Sequence, residues 1–141
     1  MFSMICRELF GQMRRFGYTR NPEDDICMQF AMELRQLQML GLTEAFVWTH
    51  VANEWAGKNR WAFGAAQKAK GKISGWPDYI FMHTHGGLAI EFKDEKGEQS
   101  DNQILVERWF DSARVPYYVC RSAEEAMDLL REFELVFEGG V

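Results

Sequence analysis

Three charged residues lie in and beside two short apolar runs of the stretch GWPDYIFMHTHGGLAIEFKDEKG, residues 75–97. Asp78 precedes the first run, and Glu91 and Lys93 occupy alternate positions of the second. Two converging carboxylates supply the hard oxygen ligands that Mg²⁺ or Mn²⁺ prefers. An ammonium group beside them can hold a phosphate or position a water molecule. These residue types are compatible with a divalent-metal site.

The two runs predict an antiparallel hairpin with strands at 78–83 and 88–93. The turn between them contains Gly86 and has two or four residues. Either even-length turn places Asp78 opposite Lys93. Because side chains alternate along a strand, the three charged residues then share one face of the hairpin.

The opposite face of this hairpin is apolar and is expected to lie against the core. It includes His83, which we interpret as a packed histidine, whereas His85 belongs to the turn. A simpler alternative stays open, in which a half-exposed hairpin carries a cross-strand ion pair between Asp78 and Lys93.

Hydrophobic periodicity and capping signals predict the order α-β-(loop)-β-β-α-β-α around this hairpin. This order is typical of an α/β (α+β) fold with a central mixed β-sheet flanked by helices. Ser100 and Gln103 fit a capping box. The other predicted elements are a helix over 22–40, a strand over 45–51, a loop with a short helix over 53–75, a helix over 100–113, a strand over 116–120 and a helix over 123–133.

Length and composition indicate one domain over residues 1–141, with an N-terminal extension at 1–21 and a core at 22–133. The chain has 47% hydrophobic and 26% charged residues and lacks an apolar run of membrane-spanning length. Its start does not resemble a secretory signal. The three scattered cysteines favour a reducing compartment, the cytoplasm, and argue against a disulfide framework or a zinc knuckle.

Charge is distributed unevenly along the chain. The segment Trp55–Pro77 contains five basic residues and no acidic one, so its formal charge is +5. Because the whole chain carries −5, the remainder carries −10. One face can therefore be basic although the protein is acidic. Trp55, Trp61 and Trp76 interleave with these charges and either stack on a ligand or cover apolar surface; for Trp76 we favour packing.

The spacing of the charged residues resembles a known signature. Pro77-Asp78, a gap of twelve residues and then Glu91-Phe92-Lys93 resembles the PD-(D/E)xK nuclease motif. The flanking NEWAGKNRWAFGAAQKAKGKISGWPDYIF, LAIEFK and GEQSDNQ are similar to the VRR-Nuc family, in its virus-type branch. The match covers about residues 22 to 130. It implies a restriction-endonuclease-like core.

This resemblance also implies roles for individual residues. Asp78, Glu91 and the carbonyl of Phe92 would bind Mg²⁺ or Mn²⁺, and Lys93 would be the catalytic lysine. Gln103 matches a glutamine that faces the active site, or it only caps its helix. An acid of the first helix would complete the site. The matching position is Glu23, with Asp24, Asp25 and Glu33 as alternatives.

The activity implied by the resemblance is metal-dependent hydrolysis of DNA phosphodiester bonds, leaving a 5′-phosphate and a 3′-hydroxyl. Virus-type members are similar to Holliday-junction resolvases, which implies branched DNA, a homodimer, and a virus- or phage-encoded protein acting in a host cell. No small-molecule cofactor and no membrane are implied. Residues expected to contact DNA are Asn53, Lys58, Arg60, Lys68, Lys70 and Lys72. Arg121 is either part of the family's arginine signature or a surface charge.

Two other functional classes stay open at this point. One is a non-catalytic nucleic-acid-binding or inhibitor protein that retains the nuclease fold. The other is an interaction protein that docks a partner through its acidic C-terminal helix. The intact Asp78, Glu91 and Lys93 argue against the first of these.

Overall fold

A computed structural model describes residues 21–52 and 60–137. Within this part the chain forms two compact units. The helical unit comprises residues 21–44 and 121–137, and the sheet unit comprises residues 45–52 and 60–120. The expected N-terminal extension lies almost entirely outside the described residues, and the single-domain organisation stays a prediction.

The helices and strands follow the predicted order. They are α1 Pro22–Met39, β1 Phe46–His50, α2 Arg60–Ala69, β2 Tyr79–His83, β3 Gly86–Phe92, α3 Asp101–Ser112, β4 Tyr117–Cys120 and α4 Ala123–Glu132. The helix expected within 53–75 is longer than the sequence suggested, with ten residues. Among the described residues, no helix is both long and apolar enough to cross a membrane.

The sheet has four strands in the order β1-β2-β3-β4. The first two pairings are antiparallel, and β3 pairs with β4 in parallel. A parallel pair needs a crossover connection, which α3 supplies. The predicted α+β fold with one mixed sheet is confirmed.

The register of the β2–β3 hairpin differs from the predicted one. Tyr79 pairs with Ile90, and His83 pairs with Gly86, so only Thr84 and His85 form the turn. Extending this register by one place puts Asp78 opposite Glu91 and not opposite Lys93. The displacement is two residues, which leaves every side chain on its predicted face.

Gly86 explains why the turn is one residue earlier than expected. Its φ is +135°, a backbone conformation that only glycine adopts easily, and it occupies the first position of β3. The turn residues need no positive φ, because the described non-glycine residues with positive φ lie elsewhere. The glycine pair therefore begins a strand and does not form the turn.

The two sheet faces bury different sets of side chains. One face carries buried aromatic and aliphatic residues of β2 and β3, and Trp48 of β1 stacks 6.2 Å from Phe81. On the other face, Ala89 packs with Val106 and Phe110 of α3. The buried residues of the first face are Tyr79, Phe81, Leu88, Ile90 and Phe92.

The helical unit buries apolar residues of α1 and α4, which contact each other. The side chain of Asn21 caps α1 in a reciprocal box with Asp24, and Pro22 takes the first helical position. Ser122 caps α4 by accepting a hydrogen bond from the amide of Glu125. These termini lie where the sequence predicts them.

Candidate active site

Asp78 is held by three features of the sheet unit. Its carbonyl accepts a hydrogen bond from Val51 N–H at 2.7 Å, which joins it to the end of β1. Its Oδ2 accepts a hydrogen bond from Phe92 N–H at 2.8 Å, which joins it to β3. The preceding Pro77 is buried, and Trp76 packs edge to face on Phe110 at 5.1 Å. Trp76 is therefore a packing residue, as we favoured.

Gly75 brings the loop before Asp78 against the start of α3. Its φ is +82°, and a Cβ at this position would lie 2.6 Å from the carbonyl carbon of Asn102 and 2.7 Å from the amide nitrogen of Gln103. No other residue type fits such a close approach. The loop that carries Asp78 is thereby placed beside the helix that carries Gln103.

Glu91 and Lys93 are buried, although they are charged. The Nζ of Lys93 lies 2.8 Å from Oε1 of Glu91. The backbone amide of Lys93 donates to the carbonyl of Cys120 at 3.0 Å, which extends the β3–β4 ladder past the end of β3. Removing such charges from water costs several kcal/mol per ion unless they are well paired. This burial contradicts the alternative of a half-exposed hairpin.

Gln103 has two contacts that sequence reasoning treated as alternatives. Its side-chain oxygen accepts from Ser100 N–H at 2.8 Å, which completes the capping box of α3. Its Nε2 donates a short hydrogen bond to Oε1 of Glu91. The same amide therefore caps the helix and orients the carboxylate, so its placement is consistent with both roles.

Two further polar residues beside the carboxylates were missed in the sequence. Tyr117 pairs with Ala89 across β3 and β4, and its hydroxyl is buried. Burial, and then the negative charge of Glu91, raises the pKa of this phenol well above its ordinary value. Glu107, one turn after Gln103 on α3, accepts from Gln99 at 3.0 Å and adds to this shift. The four-residue spacing of Gln103 and Glu107, which places both on one side of a helix, was the one sequence signal for Glu107.

The basic segment is described in part. Lys68, Lys70 and Lys72 are exposed, and Lys72 Nζ donates to the carbonyl of Ala52 at 3.4 Å. Ala52 follows Val51, which bonds to Asp78, so Lys72 lies at the end of the sheet that carries Asp78. Asn53, Lys58 and the side chain of Arg60 lie outside the described residues.

The acids of the first helix belong to the helical unit. Glu23 and Asp25 lie in the first turn of α1, while Asp24 forms the capping box and Glu33 accepts from Gln29 at 2.9 Å. The carboxylate of Asp24 therefore stabilises the start of α1. The contribution of Glu23 to the site stays a prediction. Arg121 is exposed, and its backbone amide donates to Glu125, which leaves its two interpretations open.

The carboxylates of Asp78 and Glu91 are candidate ligands for a divalent cation. Among the described residues, no group of three or more histidine, cysteine, aspartate or glutamate side chains is arranged to hold a metal. Mg²⁺, however, retains several waters and is commonly bound through one or two carboxylates. Asp78, directly before β2, and Glu91 of β3 supply two carboxylates. Phe92 N–H points toward Asp78, and in an extended strand its carbonyl points to the same side. These residues fit a hydrated cation.

Comparison with known proteins identifies the fold. No family model matches the sequence, and no curated protein matches it. Among solved structures, one described as "VRR_NUC domain" is similar to this chain, with a TM-score of 0.50 and 19% sequence identity. The similarity covers 80% of this chain and 97% of that one. At this identity the comparison establishes the fold.

Proposed function

We propose that this chain, which has the fold of a VRR_NUC domain, is a metal-dependent DNA endonuclease that hydrolyses phosphodiester bonds. The observation that supports this most strongly is the buried pair of Glu91 and Lys93, with Asp78 directly before β2 and hydrogen-bonded to the backbone of β3. Apolar residues at these positions would stabilise the sheet at least as well as the buried charges do. Their retention is therefore best explained by chemistry.

The cation would be Mg²⁺ or Mn²⁺, held by Asp78, Glu91 and the carbonyl of Phe92, with Glu23 as a further ligand. Such a cation neutralises charge on the phosphate and makes water more acidic. Lys93 holds its ammonium group beside Glu91, where it offsets charge that develops on the phosphate and orients the attacking water. Gln103 keeps the Glu91 carboxylate in one orientation.

DNA would be bound through the basic segment that includes Lys68, Lys70 and Lys72. Contacts from lysine to phosphates give affinity without reading sequence, and such binding weakens steeply with salt. Asn53, Lys58 and Arg60 are proposed to extend this surface. The position of Lys72 at the Asp78 end of the sheet supports a backbone path that passes the carboxylates.

The finer assignments follow by analogy with the virus-type branch. We propose branched DNA such as a Holliday junction as the substrate, and a homodimer whose two-fold symmetry places two sites on opposed strands. Cys27 and Cys120, the two described cysteines, form no disulfide, which suits action in a reducing cytoplasm, including that of a host cell infected by a virus or phage.

The decisive test is cleavage of a labelled four-way junction, linear duplex, single strand and RNA with Mg²⁺, Mn²⁺ or chelator. Asp78→Asn keeps an oxygen that can accept from Phe92 N–H and removes the negative charge. Loss of residues that only orient metal ligands costs about 10–100-fold, so this variant should lose more than about 100-fold in rate.

The matched control is Asp128→Asn, an exposed acid of the helical unit, which should cut at the wild-type rate. Cleavage by Asp78→Asn at that same rate would refute the assignment. Metal-independent binding without cutting would instead favour a non-catalytic nucleic-acid-binding protein that retains the fold.

A further inference from the structure

Helix α2 is unusually exposed for a helix of a small domain. Of its side chains that the structure describes, residues 61–69, none is buried. Trp61 is 85% exposed, the highest value among the large apolar side chains of the described residues. Tryptophan is highly buried on average in folded proteins. The position of Trp61 therefore requires an explanation that core packing does not supply.

The exposed residues of α2 form a continuous face. Trp61, Ala65 and Lys68 are spaced four and three residues apart, which places them on one side of a helix, and all three are exposed. Phe63 and Gln67 are half-buried and lie on another side. With a rise of about 1.5 Å per residue, the indole and the lysine are separated by about 10 Å along the axis.

The charge around this face selects its partner. The first turn of α2 contains no acid, and its last turn contains Lys68. Lys70 and Lys72 follow directly and are exposed, and the whole segment Trp55–Pro77 contains no acidic residue. A protein partner with an apolar patch could bind beside acidic residues. A chain of phosphates would be repelled by them, so the absence of acids from this segment favours a polyphosphate partner. Ala65, between the indole and the lysine, leaves the surface flat.

We propose that the Trp61–Ala65–Lys68 face of α2 binds single-stranded nucleic acid, with Trp61 stacking on an unpaired base and Lys68 contacting the phosphate backbone. Aromatic stacking beside a basic track is how proteins hold unpaired strands without reading their sequence. The proposal deepens the proposed nuclease function: Lys72 connects the segment after α2 to the sheet end with Asp78, so substrates with unpaired nucleotides beside the cleaved bond are favoured.

The test measures binding alone, by fluorescence anisotropy in chelator and low salt. The probes are a labelled oligothymidine and a blunt duplex of equal length. Trp61→Ala should weaken binding of the single strand about tenfold or more, since one stacked base commonly contributes that much, and should change duplex binding less than about twofold. Trp61→Phe should restore most of the single-strand affinity, because it retains a stacking ring.

The matched control is Trp109→Ala, a half-exposed tryptophan on α3 outside the basic segment, which should bind both probes as the wild type does. Unchanged single-strand binding by Trp61→Ala, or no single-strand binding by the wild type, would overturn the proposal. So would equal loss for both probes together with a change of oligomeric state in sedimentation, because Trp61 would then be a contact between copies.

These outcomes are separable from those of the nuclease proposal. Trp61-dependent binding by a chain that cuts nothing with Mg²⁺ or Mn²⁺ would leave this inference standing and refute the enzyme. Cleavage by the wild type, together with normal single-strand binding by Trp61→Ala, would support the enzyme and refute this inference.

Discussion

An ion pair occurs in each unit, and the two pairs differ in burial far more than in distance. Lys93 Nζ lies 2.8 Å from Glu91 Oε1, with side chains 8% and 2% exposed. Arg131 Nη1 lies 2.5 Å from Asp128 Oδ1, with side chains 40% and 61% exposed. The exposed pair is a contact within one helix that solvent screens. The buried pair has lost its hydration, so its retention points to a role other than stability.

The largest expected difference between the two pairs is in stability. Glu91→Ala leaves the ammonium group of Lys93 buried without this carboxylate and should lower the free energy of unfolding by about 3–5 kcal/mol. Asp128→Ala should lower it by about 0.5 kcal/mol or less. Denaturant titration of the two variants measures both values.

Replacing both residues of the buried pair by apolar ones tests the cost of burying charge more directly. The double variant Glu91→Leu with Lys93→Met should recover most of the lost stability, because no charge is then buried, while cleavage remains absent. Equal costs for Glu91→Ala and Asp128→Ala would show that the buried pair is hydrated in solution and would remove the contrast between the units.

The next largest loss of stability is expected at Gly75, in the loop that leads to Asp78. Gly75→Ala introduces a Cβ 2.6 Å from the backbone of Asn102 at a φ of +82°, so strain and overpacking together should cost about 2–4 kcal/mol. Gly71 has a φ of +100° but open space around it. Gly71→Ala should therefore cost only the strain, about 1–2 kcal/mol. Thermal unfolding that ranked Gly71→Ala as equal or worse would exclude the close packing of this loop on α3.

A smaller effect separates the two contacts of Gln103. Ser100→Ala removes the cap's hydroxyl and should cost about 1 kcal/mol of stability while cleavage is unchanged. Gln103→Ala should cost about as much in stability, and it also removes the bond to Glu91, so cleavage should fall about 10–100-fold. Parallel melting curves and single-turnover rates would decide this. Equal cleavage by the two variants would reduce Gln103 to a helix cap.

The smallest expected effect concerns Tyr117, whose pKa is raised by burial and, second, by the negative charge of Glu91. Its raised pKa means that, above about pH 10, the unfolded phenol loses its proton while the folded one keeps it. Its contribution to stability is therefore present below about pH 10 and is lost as the pH rises. Tyr117→Phe removes this dependence and should gain about 1 kcal/mol on the wild type at pH 11 relative to pH 8.

Alkaline melting curves provide the measurement for Tyr117. Tyr118→Phe is the matched control, because its neighbouring side chain is exposed and projects from the other side of β4. If Tyr117→Phe and Tyr118→Phe showed the same pH dependence as the wild type, Tyr117 would not be held neutral by the buried site.

Local signals predicted much of the fold. Ser100 caps α3 because its side chain bonds to an amide only three residues away, a relation that is visible in the sequence. Alternation in β2 and β3 predicted which side chains share the apolar face, since it depends only on strand geometry, but β3 also buries Ala89 and Glu91 on its other face. The resemblance in the PD…ExK segment agreed with the observed fold.

Other features depend on packing over longer distances and were not visible. The hairpin register followed from the φ of Gly86, which the residue type permits but does not specify. The proximity of Glu107 and Tyr117 to Glu91 arises from the packing of α3 and β4 on the sheet. Glu23 lies 55 positions before Asp78 in the sequence and in the other unit, so no local pattern places it in the site.

The hydrogen bond from Phe92 N–H to Asp78 Oδ2 makes one amide proton a direct probe of the proposed active site. Such a proton exchanges with solvent when this bond opens, so its protection reports how often Asp78 separates from β3. That single resonance would reveal a loosened centre in any variant before substrate or metal is added.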